Sequence, residues 1–334
     1  MDIDKLYEIS PSQWPDDAAS KIRDMLSDKE ASRKERLTAA KLAAEEKVLN
    51  DEMADVLLDI LHDDEESEEL RCIAVEAFGP ALQFNGINGF YESQQQFFSE
   101  KKFYEIKKTL RDFYYDIKLP KTLRRRILEA DVCSPMQWHK NAIKRAYESD
   151  DEEWILSAIF GMGYVKGYKK QILESLESSN PEIVYEAVCA AGNAGVKEAW
   201  PVIKDILSSP QEDNMLLRSA ISAAPFINNA EAEEFLTQLL ENEDEDIAEA
   251  AEIALMYNSD EFEDDTDTQL TSNTEEKYVI YIDIEDYFKN YNFIPIKTSE
   301  PGISGENLSN TPNEDSTHHL SDSSYSTRKK KTKK

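Results

Sequence analysis

Side chains that could act as nucleophiles or metal ligands are few in this sequence and stand far apart. The histidines, which could bind a metal or transfer protons, are His62, His139, His318 and His319. No two of them have the spacing that places two ligands on one face of a helix. The three cysteines, Cys72, Cys133 and Cys189, form no CxxC pair, so neither a zinc site nor a disulfide framework is predicted.

One acidic stretch, DTDTQLTSNTEE, partly matches a calcium-binding loop. Asp265, Asp267 and Glu276 occupy ligand positions of such a loop. Leu270, however, occupies the position at which the sharp turn requires glycine. Carboxylates are so frequent elsewhere in the chain that any chosen pair carries no catalytic information. We therefore predict no catalytic residues, no metal site and no cofactor, and we expect that the protein is not an enzyme.

The basic side chains remain as candidates because they are concentrated in one part of an acidic chain. The sequence has 68 acidic and 38 basic residues, with a net charge of −30 and a pI near 4.5. Residues 101–145 nevertheless hold 13 basic and 5 acidic residues, a net charge of +8. At their centre lies LPKTLRRRILEA, residues 119–130, with three consecutive arginines. Such a cluster could bind an acidic peptide, a phosphate group or a nucleic acid strand.

Helical spacing around these arginines separates their expected roles. Leu123 and Ile127 mark the inward face, so Arg124 is expected to pair with an acidic residue of a neighbouring repeat. Arg125 lies about a quarter-turn further round and is expected to be exposed. The candidate partner-binding residues are Arg125, Arg126, Trp138, His139, Lys140, Lys144 and Arg145. Two interpretations stay open, because the cations could either neutralise the acidic repeats on both sides or form a ligand-binding surface.

A recurring motif indicates which elements hold these residues. SEELRCIAVEAFGPAL (residues 67–82) and NPEIVYEAVCAAGNAG (residues 180–195) share a helix-start residue, alanines at helical spacing and a glycine near the end. Looser copies centre on Ala40, Ile127, Ala158, Ala220 and Ala251. The steps between centres are near thirty residues, except for one that contains an insertion. A second amphipathic helix precedes most copies, which predicts an all-α solenoid of about seven stacked hairpins over residues 1–258.

These repeats resemble the short HEAT repeats of bacterial and archaeal proteins, including those of the phycobilisome-lyase type. ELRCIAVEAFGPAL and NPEIVYEAVCAAGNAG carry the resemblance most clearly, and it covers about residues 20–258. WPDDAASKI, FGPAL and LPKTLRRRILEA followed by QWHKNAIKRAYES are also similar to bacterial HEAT-repeat proteins of unassigned function. The resemblance implies a right-handed α-superhelix and leaves the function open.

Two segments depart from the repeat. Residues 83–104 are rich in phenylalanine and tyrosine, which predicts either a long loop packed on the solenoid or an aromatic contact surface. Residues 259–334 form an acidic, low-complexity tail that is expected to be largely disordered. The tail contains an apolar island at residues 278–296 and a basic end, RKKKTKK. The island is expected either to dock on the solenoid or to bind another protein.

These patterns favour a non-enzymatic scaffold that binds another protein along the solenoid. The alternative is a nucleic-acid or phosphate-ligand binder that uses residues 101–145, which the acidic flanking segments disfavour because they repel phosphates. No apolar run approaches the roughly 18 residues that a membrane span needs, so no membrane partner is expected. A cytoplasmic location is the default expectation.

Overall fold

The computed structural model describes residues 3–90, 97–209 and 214–257, whose regular structure is helical throughout. The chain divides into two units, residues 1–292 and 293–334, and all described residues lie in the first. The tail at residues 259–334, with its island at 278–296 and the calcium-like stretch, therefore lies outside the described residues. The predictions made for that tail stay predictions.

Fifteen α-helices follow one another along the described residues. The first eight are α1 (Ile3–Tyr7), α2 (Ala18–Ser27), α3 (Arg33–Leu42), α4 (Asp51–His62), α5 (Glu68–Glu76), α6 (Gly79–Asn88), α7 (Glu100–Tyr115) and α8 (Lys121–Val132). The other seven are α9 (Gln137–Tyr147), α10 (Glu152–Met162), α11 (Lys169–Leu176), α12 (Pro181–Asn193), α13 (Trp200–Ser208), α14 (Asn214–Leu239) and α15 (Glu245–Met256). Short 3-10 turns at Pro11–Gln13 and Lys197–Ala199 lie between helices.

The helices pack as successive hairpins, each against the next. The pairs are α2 with α3, α4 with α5, α7 with α8, α9 with α10, α11 with α12, α13 with the first half of α14, and its second half with α15. The second helices also contact one another in order, α3 to α5, α5 to α8, α8 to α10, α10 to α12 and α12 to α14. This nearest-neighbour packing of seven hairpins confirms the predicted α-solenoid.

Small residues at the motif centres allow these helices to approach closely. Ala74, Ala158 and Ala187 are fully buried at the centres of their helices. A close approach between second helices lies at Gly192 of α12, where an added Cβ would lie 2.7 Å from the Cβ of Ala223 in α14. Any larger side chain at position 192 would force these two hairpins apart, since close-packed interiors leave no space to absorb it.

A repeated arginine contact ties the two helices of a hairpin together. In three hairpins, an arginine of the second helix donates to a backbone carbonyl ten residues earlier, in the last turn of the first helix. The pairs are Arg36 with Leu26 (2.8 Å), Arg71 with Leu61 (3.1 Å) and Arg124 with Tyr114 (2.7 Å). The last carbonyls of a helix lack intrahelical partners and carry partial negative charge, so a guanidinium stabilises that end.

The aromatic segment at residues 83–104 differs from the loop that the sequence predicts. α6 extends into its first residues, and α7 begins within its last ones. Pro80, in the first turn of α6, is a helix-start signal that the loop interpretation overlooked. Phe98 and Phe103 are buried in the core, whereas Tyr104 is exposed. The described aromatic side chains therefore serve mainly to pack α6 and α7 onto the repeats.

α14 is two helices joined by a kink at Asn228, where φ is −151° and ψ is 81°. Pro225, three residues earlier, has no amide hydrogen, and its ring opposes a continuous helix. The Asn228 side chain then accepts a hydrogen bond from the Glu231 amide at 3.4 Å, as a cap for the second half. The two halves can therefore belong to successive hairpins.

Replacing Arg71 by methionine tests the contribution of the repeated arginine contact. Arg71 is 6% exposed, and its loss leaves the Leu61 carbonyl without its donor. We expect the free energy of unfolding to fall by about 1–3 kcal/mol, measured by urea unfolding followed by circular dichroism. Arg33→Met is the matched control, because Arg33 pairs with Glu69 at the surface and its loss should cost under about 0.5 kcal/mol. Equal losses in the two variants would contradict the assigned role.

Candidate functional site

The three consecutive arginines of α8 point in three directions, because successive helix residues are about 100° apart. Arg124 reaches back to α7, where its Nε donates to the Tyr114 carbonyl. Its guanidinium carbon lies 5.6 Å from the ring centroid of Tyr114 and 5.5 Å from that of Trp154. Arg124 thus occupies the motif position as predicted, but its partners are a carbonyl and two rings rather than an acidic side chain.

Arg125 reaches forward to α10. Its Nη1 lies 3.1 Å from the Glu153 carboxylate, and its Nε donates to the Ser157 hydroxyl at 2.9 Å. The side chain is only 14% exposed, so the prediction of an exposed Arg125 is wrong. The physical reason is that α10 of the next hairpin packs along this side of α8, which the spacing within α8 alone does not reveal.

Arg126 reaches toward the preceding hairpin. Its Nε lies 3.1 Å from the Glu76 carboxylate of α5, and its Nη1 donates to Glu129 at 2.8 Å. Glu129 is buried and also accepts a hydrogen bond from the Ser157 hydroxyl at 2.6 Å. A polar network thus runs from α5 through α8 to α10. Arg126 belongs to this network together with Arg125, so neither of these two candidates presents a free cation to a partner.

His139 is fully buried and does not lie on the surface, so its predicted contact with a partner is wrong. Its Nδ1 accepts a hydrogen bond from the Met136 amide at 2.8 Å, so Nε2 carries the hydrogen and faces Asp131 at 3.0 Å. The Lys107 ammonium lies 2.7 Å from the other oxygen of Asp131 and donates to the carbonyls of Asp131 and Ser134. This cluster joins α7, α8 and α9.

Burial governs the protonation of this cluster. It lowers the pKa of Lys107 and of His139, while the Asp131 carboxylate opposes the shift in both. A buried pair of this kind stabilises the fold only while both partners are present, because a lone buried charge is costly. Lys107 therefore contributes nothing to a basic surface, although it counts toward the positive charge of residues 101–145.

The cysteines are also interior groups. All three are free thiols in buried positions. Burial raises the pKa of Cys133 to about 12 and raises those of Cys72 and Cys189 as well. Because the thiolate is the reactive form, these side chains act as small hydrophobic groups rather than nucleophiles.

Several cations of residues 101–145 remain exposed, and three of them lie on α9. Outside α9 the exposed cations of this segment are Lys101, Lys108, Arg111, Lys118 and Lys121. Lys140, Lys144 and Arg145 are all exposed, and the Lys144 ammonium lies 3.9 Å from Glu148. At the edge of this face, the Trp138 ring packs against Tyr115 of α7, with ring centroids 5.8 Å apart. Lys140 and Lys144, four residues apart, share one side of α9, whereas Trp138 and Arg145, seven residues apart, share another. We call Tyr115, Trp138, Lys140, Lys144 and Arg145 the α9 surface.

Aromatic groups border the α9 surface. Trp138 is half-buried, and its indole N–H is buried without a hydrogen-bond partner among the described residues. Tyr115 is 41% exposed, and Ile117 and Met136, which flank α7 and α9 in the chain, are exposed too. Sequence reasoning did not select Tyr115. The feature of the sequence that indicates an exposed Tyr115 is the pair Tyr114–Tyr115 at the end of an amphipathic helix. Only one of two adjacent rings can face inward there, and Tyr114 is the buried one.

The described residues contain no group of three or more histidines, cysteines and carboxylates that could hold a metal ion. Among the described helices, none has the length and apolar character needed to cross a membrane. What the α9 surface can do chemically is bind anionic groups by charge and planar or apolar groups by stacking.

Replacing Glu76 by glutamine tests the polar network through its pH dependence. Burial raises the pKa of Glu76 from 4.5 to about 7, against the opposing effect of Arg126. The folded protein therefore holds this proton at pH values where the unfolded chain has lost it, and the stabilisation weakens as pH rises from 4.5 toward 7. The unfolding free energy of the wild type, relative to Glu76→Gln, should fall by at least about 1 kcal/mol between about pH 5 and about pH 8.

Glu153→Gln is the control for this measurement. The Lys121 hydrogen bond lowers the pKa of Glu153, so its titration lies below that pH range. Urea unfolding at each pH should give a constant difference from wild type for Glu153→Gln. A constant difference for Glu76→Gln as well would contradict the assigned titration.

Comparison with known proteins gives one family match. Residues 169–256, which hold α11 to α15, match the profile of HEAT repeats. A search of curated proteins returns no match.

Three solved structures are similar in fold at low sequence identity. YibA from E. coli is 18% identical, with 73% of this chain and 83% of that chain covered and a TM-score of 0.38. Human deoxyhypusine hydroxylase in complex with glycerol is 15% identical, with 73% and 96% covered and a TM-score of 0.32. An engineered protein is 16% identical, with 77% and 73% covered and a TM-score of 0.35. With TM-scores below 0.5, these similarities decide nothing about the site.

The match and the hairpin order together assign the later part of the stack. Residues 169–256 of this chain are HEAT repeats, and the described residues before them continue as stacked helical hairpins.

Proposed function

We propose that this protein is a non-enzymatic scaffold that binds another protein through the α9 surface. The observation that carries the proposal is the exposure of three cations on the same helix as Trp138. Lys140, Lys144 and Arg145 face solvent, whereas the arginines of α8 and Lys107 are used inside the stack. Trp138 packs against the exposed Tyr115 of α7. Exposed aromatic and cationic side chains together are typical of protein interfaces.

The surroundings of the α9 surface favour a short acidic partner segment. Residues 146–258 hold 6 basic and 23 acidic residues, a net charge of −17. A long polyanion laid across α9 would also meet this negative field, whereas a short acidic segment would contact the cations alone. The half-buried Trp138 and the exposed Tyr115 supply flat faces for an apolar or aromatic side chain of that segment.

The pairing of Arg125 and Arg126 inside the stack weakens the nucleic-acid alternative. A groove that tracks a phosphate backbone needs a row of free cations, and affinity rises with the number of phosphates neutralised. Arg125 and Arg126 would have extended such a row, but both are paired with carboxylates. A cytoplasmic location is proposed with the scaffold, because three free cysteines fit a reducing compartment.

Charge reversal on α9 tests this proposal. The bait proteins are the wild type, Lys144→Glu/Arg145→Glu, and the matched control Lys169→Glu/Lys170→Glu, which makes the same charge change on exposed lysines of the next hairpin. Affinity capture from the native host, with nuclease treatment and mass spectrometry, should identify a protein retained by wild type and control. Its affinity for the α9 variant, measured by calorimetry, should be at least about tenfold lower, or about 1.4 kcal/mol.

Three outcomes would count against the proposal. Equal capture by all three baits would remove the α9 surface as the binding site. Loss of capture after nuclease treatment, with direct binding of single-stranded DNA or RNA at low salt, would favour the nucleic-acid alternative. Reproducible turnover of a common substrate class by the purified protein would contradict a non-enzymatic role.

A further inference from the structure

A second surface, unrelated to α9, lies at the kink of α14. A groove of about 750 Å³ opens between the Lys197–Ala199 turn with the start of α13 and the kinked part of α14. Its apolar lining is Trp200, Pro201, Pro225, Phe226 and Ile227. Surface grooves lined mainly by aromatic and apolar side chains bind ligands or peptide segments.

The kink creates and holds this groove. The first half of α14 ends at Asn228, whose φ and ψ are not helical, and the second half turns away from there. The Trp200 indole N–H donates to the Glu231 carboxylate at 3.0 Å, which fixes the ring beside the groove. The apolar lining is thus held in place by the packing of α13 and α14 rather than by a ligand.

The chain leaves the described structure next to this groove. The ring of Tyr257, the last described residue, lies 5.7 Å from the ring of Phe226 between centroids. Tyr257 is 40% exposed and Met256 is 62% exposed, so apolar surface continues outward from the groove. Whatever follows residue 257 starts within reach of Phe226.

The sequence that follows contains a matching apolar segment. Residues 278–292 read YVIYIDIEDYFKNYN, with isoleucines, tyrosines and a phenylalanine as the majority. Twenty residues, 258–277, connect it to α15, and a chain of that length can span up to about 70 Å. A tethered segment is present at an effective concentration on the order of millimolar, well above that of a separate partner.

We propose that residues 278–292 of this same chain dock into the groove at the α14 kink. Docking covers Phe226 and Tyr257 and shields the apolar surface at the end of the described repeats. The proposal is independent of the α9 surface and of whatever partner that surface binds.

Photo-crosslinking within the full chain tests this contact. Asn229 lines the groove and is exposed, so a benzoylphenylalanine at this position faces any occupant. We expect intramolecular cross-links from position 229 to residues 278–292, mapped by mass spectrometry and unchanged on dilution. The same photoreactive group at Lys170, whose side chain is 82% exposed on α11, should give no cross-link to that segment.

A pair of segment variants makes the test specific. Ile282→Asp/Ile284→Asp should reduce the cross-link from position 229 at least about tenfold, because two apolar contacts are lost. Leu308→Asp/Leu320→Asp, the same change further along the chain, should leave it unchanged. Cross-links that form only between molecules would point to a second copy as the occupant and overturn the proposal. Absence of cross-links to residues 278–292, or insensitivity to the isoleucine variant, would overturn it as well.

Discussion

The contact between a motif arginine and the carbonyl ten residues before it fixes how the two helices approach in three of the seven hairpins. A helical hairpin needs its two helices held at a fixed approach, and the end of the first helix has carbonyl groups without intrahelical partners. Arg36, Arg71 and Arg124 satisfy such carbonyls from the second helix. In α10 and α12 the corresponding positions hold Ile155 and Val184. Those hairpins therefore rely on apolar packing where the earlier ones also use charge and hydrogen bonding.

Arg124 contacts the first helix of its own hairpin, whereas the two arginines that follow it in α8 contact the hairpins before and after. Arg126 meets α5, and Arg125 meets α10, with Glu129 between them. Because successive helix residues are about 100° apart, three consecutive arginines point in different directions and contact three different hairpins. The segment carries a net positive charge, but the arginines of α8 and Lys107 use theirs inside the stack. Lys140, Lys144 and Arg145 on α9 face outward, and they define the surface on which the proposed function depends.

Much of the fold follows from patterns that the sequence displays openly. Repeated alanines near thirty-residue spacing and the Asn180–Pro181 helix start predict stacked hairpins, and Asn180 does cap α12. The direction of Arg125 could not be predicted, because it depends on Glu153 and Ser157 in a helix about thirty residues later. His139 was misassigned for a similar reason, since its ring meets Asp131 of α8 in the interior. Contacts between neighbouring repeats decide which polar side chains are buried. The periodicity of apolar residues within one helix does not predict these contacts.

Gly192 shows how a stack of this kind transmits small changes. The α12 and α14 backbones nearly touch there, so a side chain at that position would act as a wedge between two neighbouring hairpins. Because each hairpin packs mainly on its neighbours, a wedge is not resisted by contacts elsewhere and tilts α14 and α15 together. A few degrees of tilt at one interface grow into a larger displacement with distance along the stack. The absence of a side chain at residue 192 thus sets the angle between α12 and α14, and with it the orientation of the helices that follow.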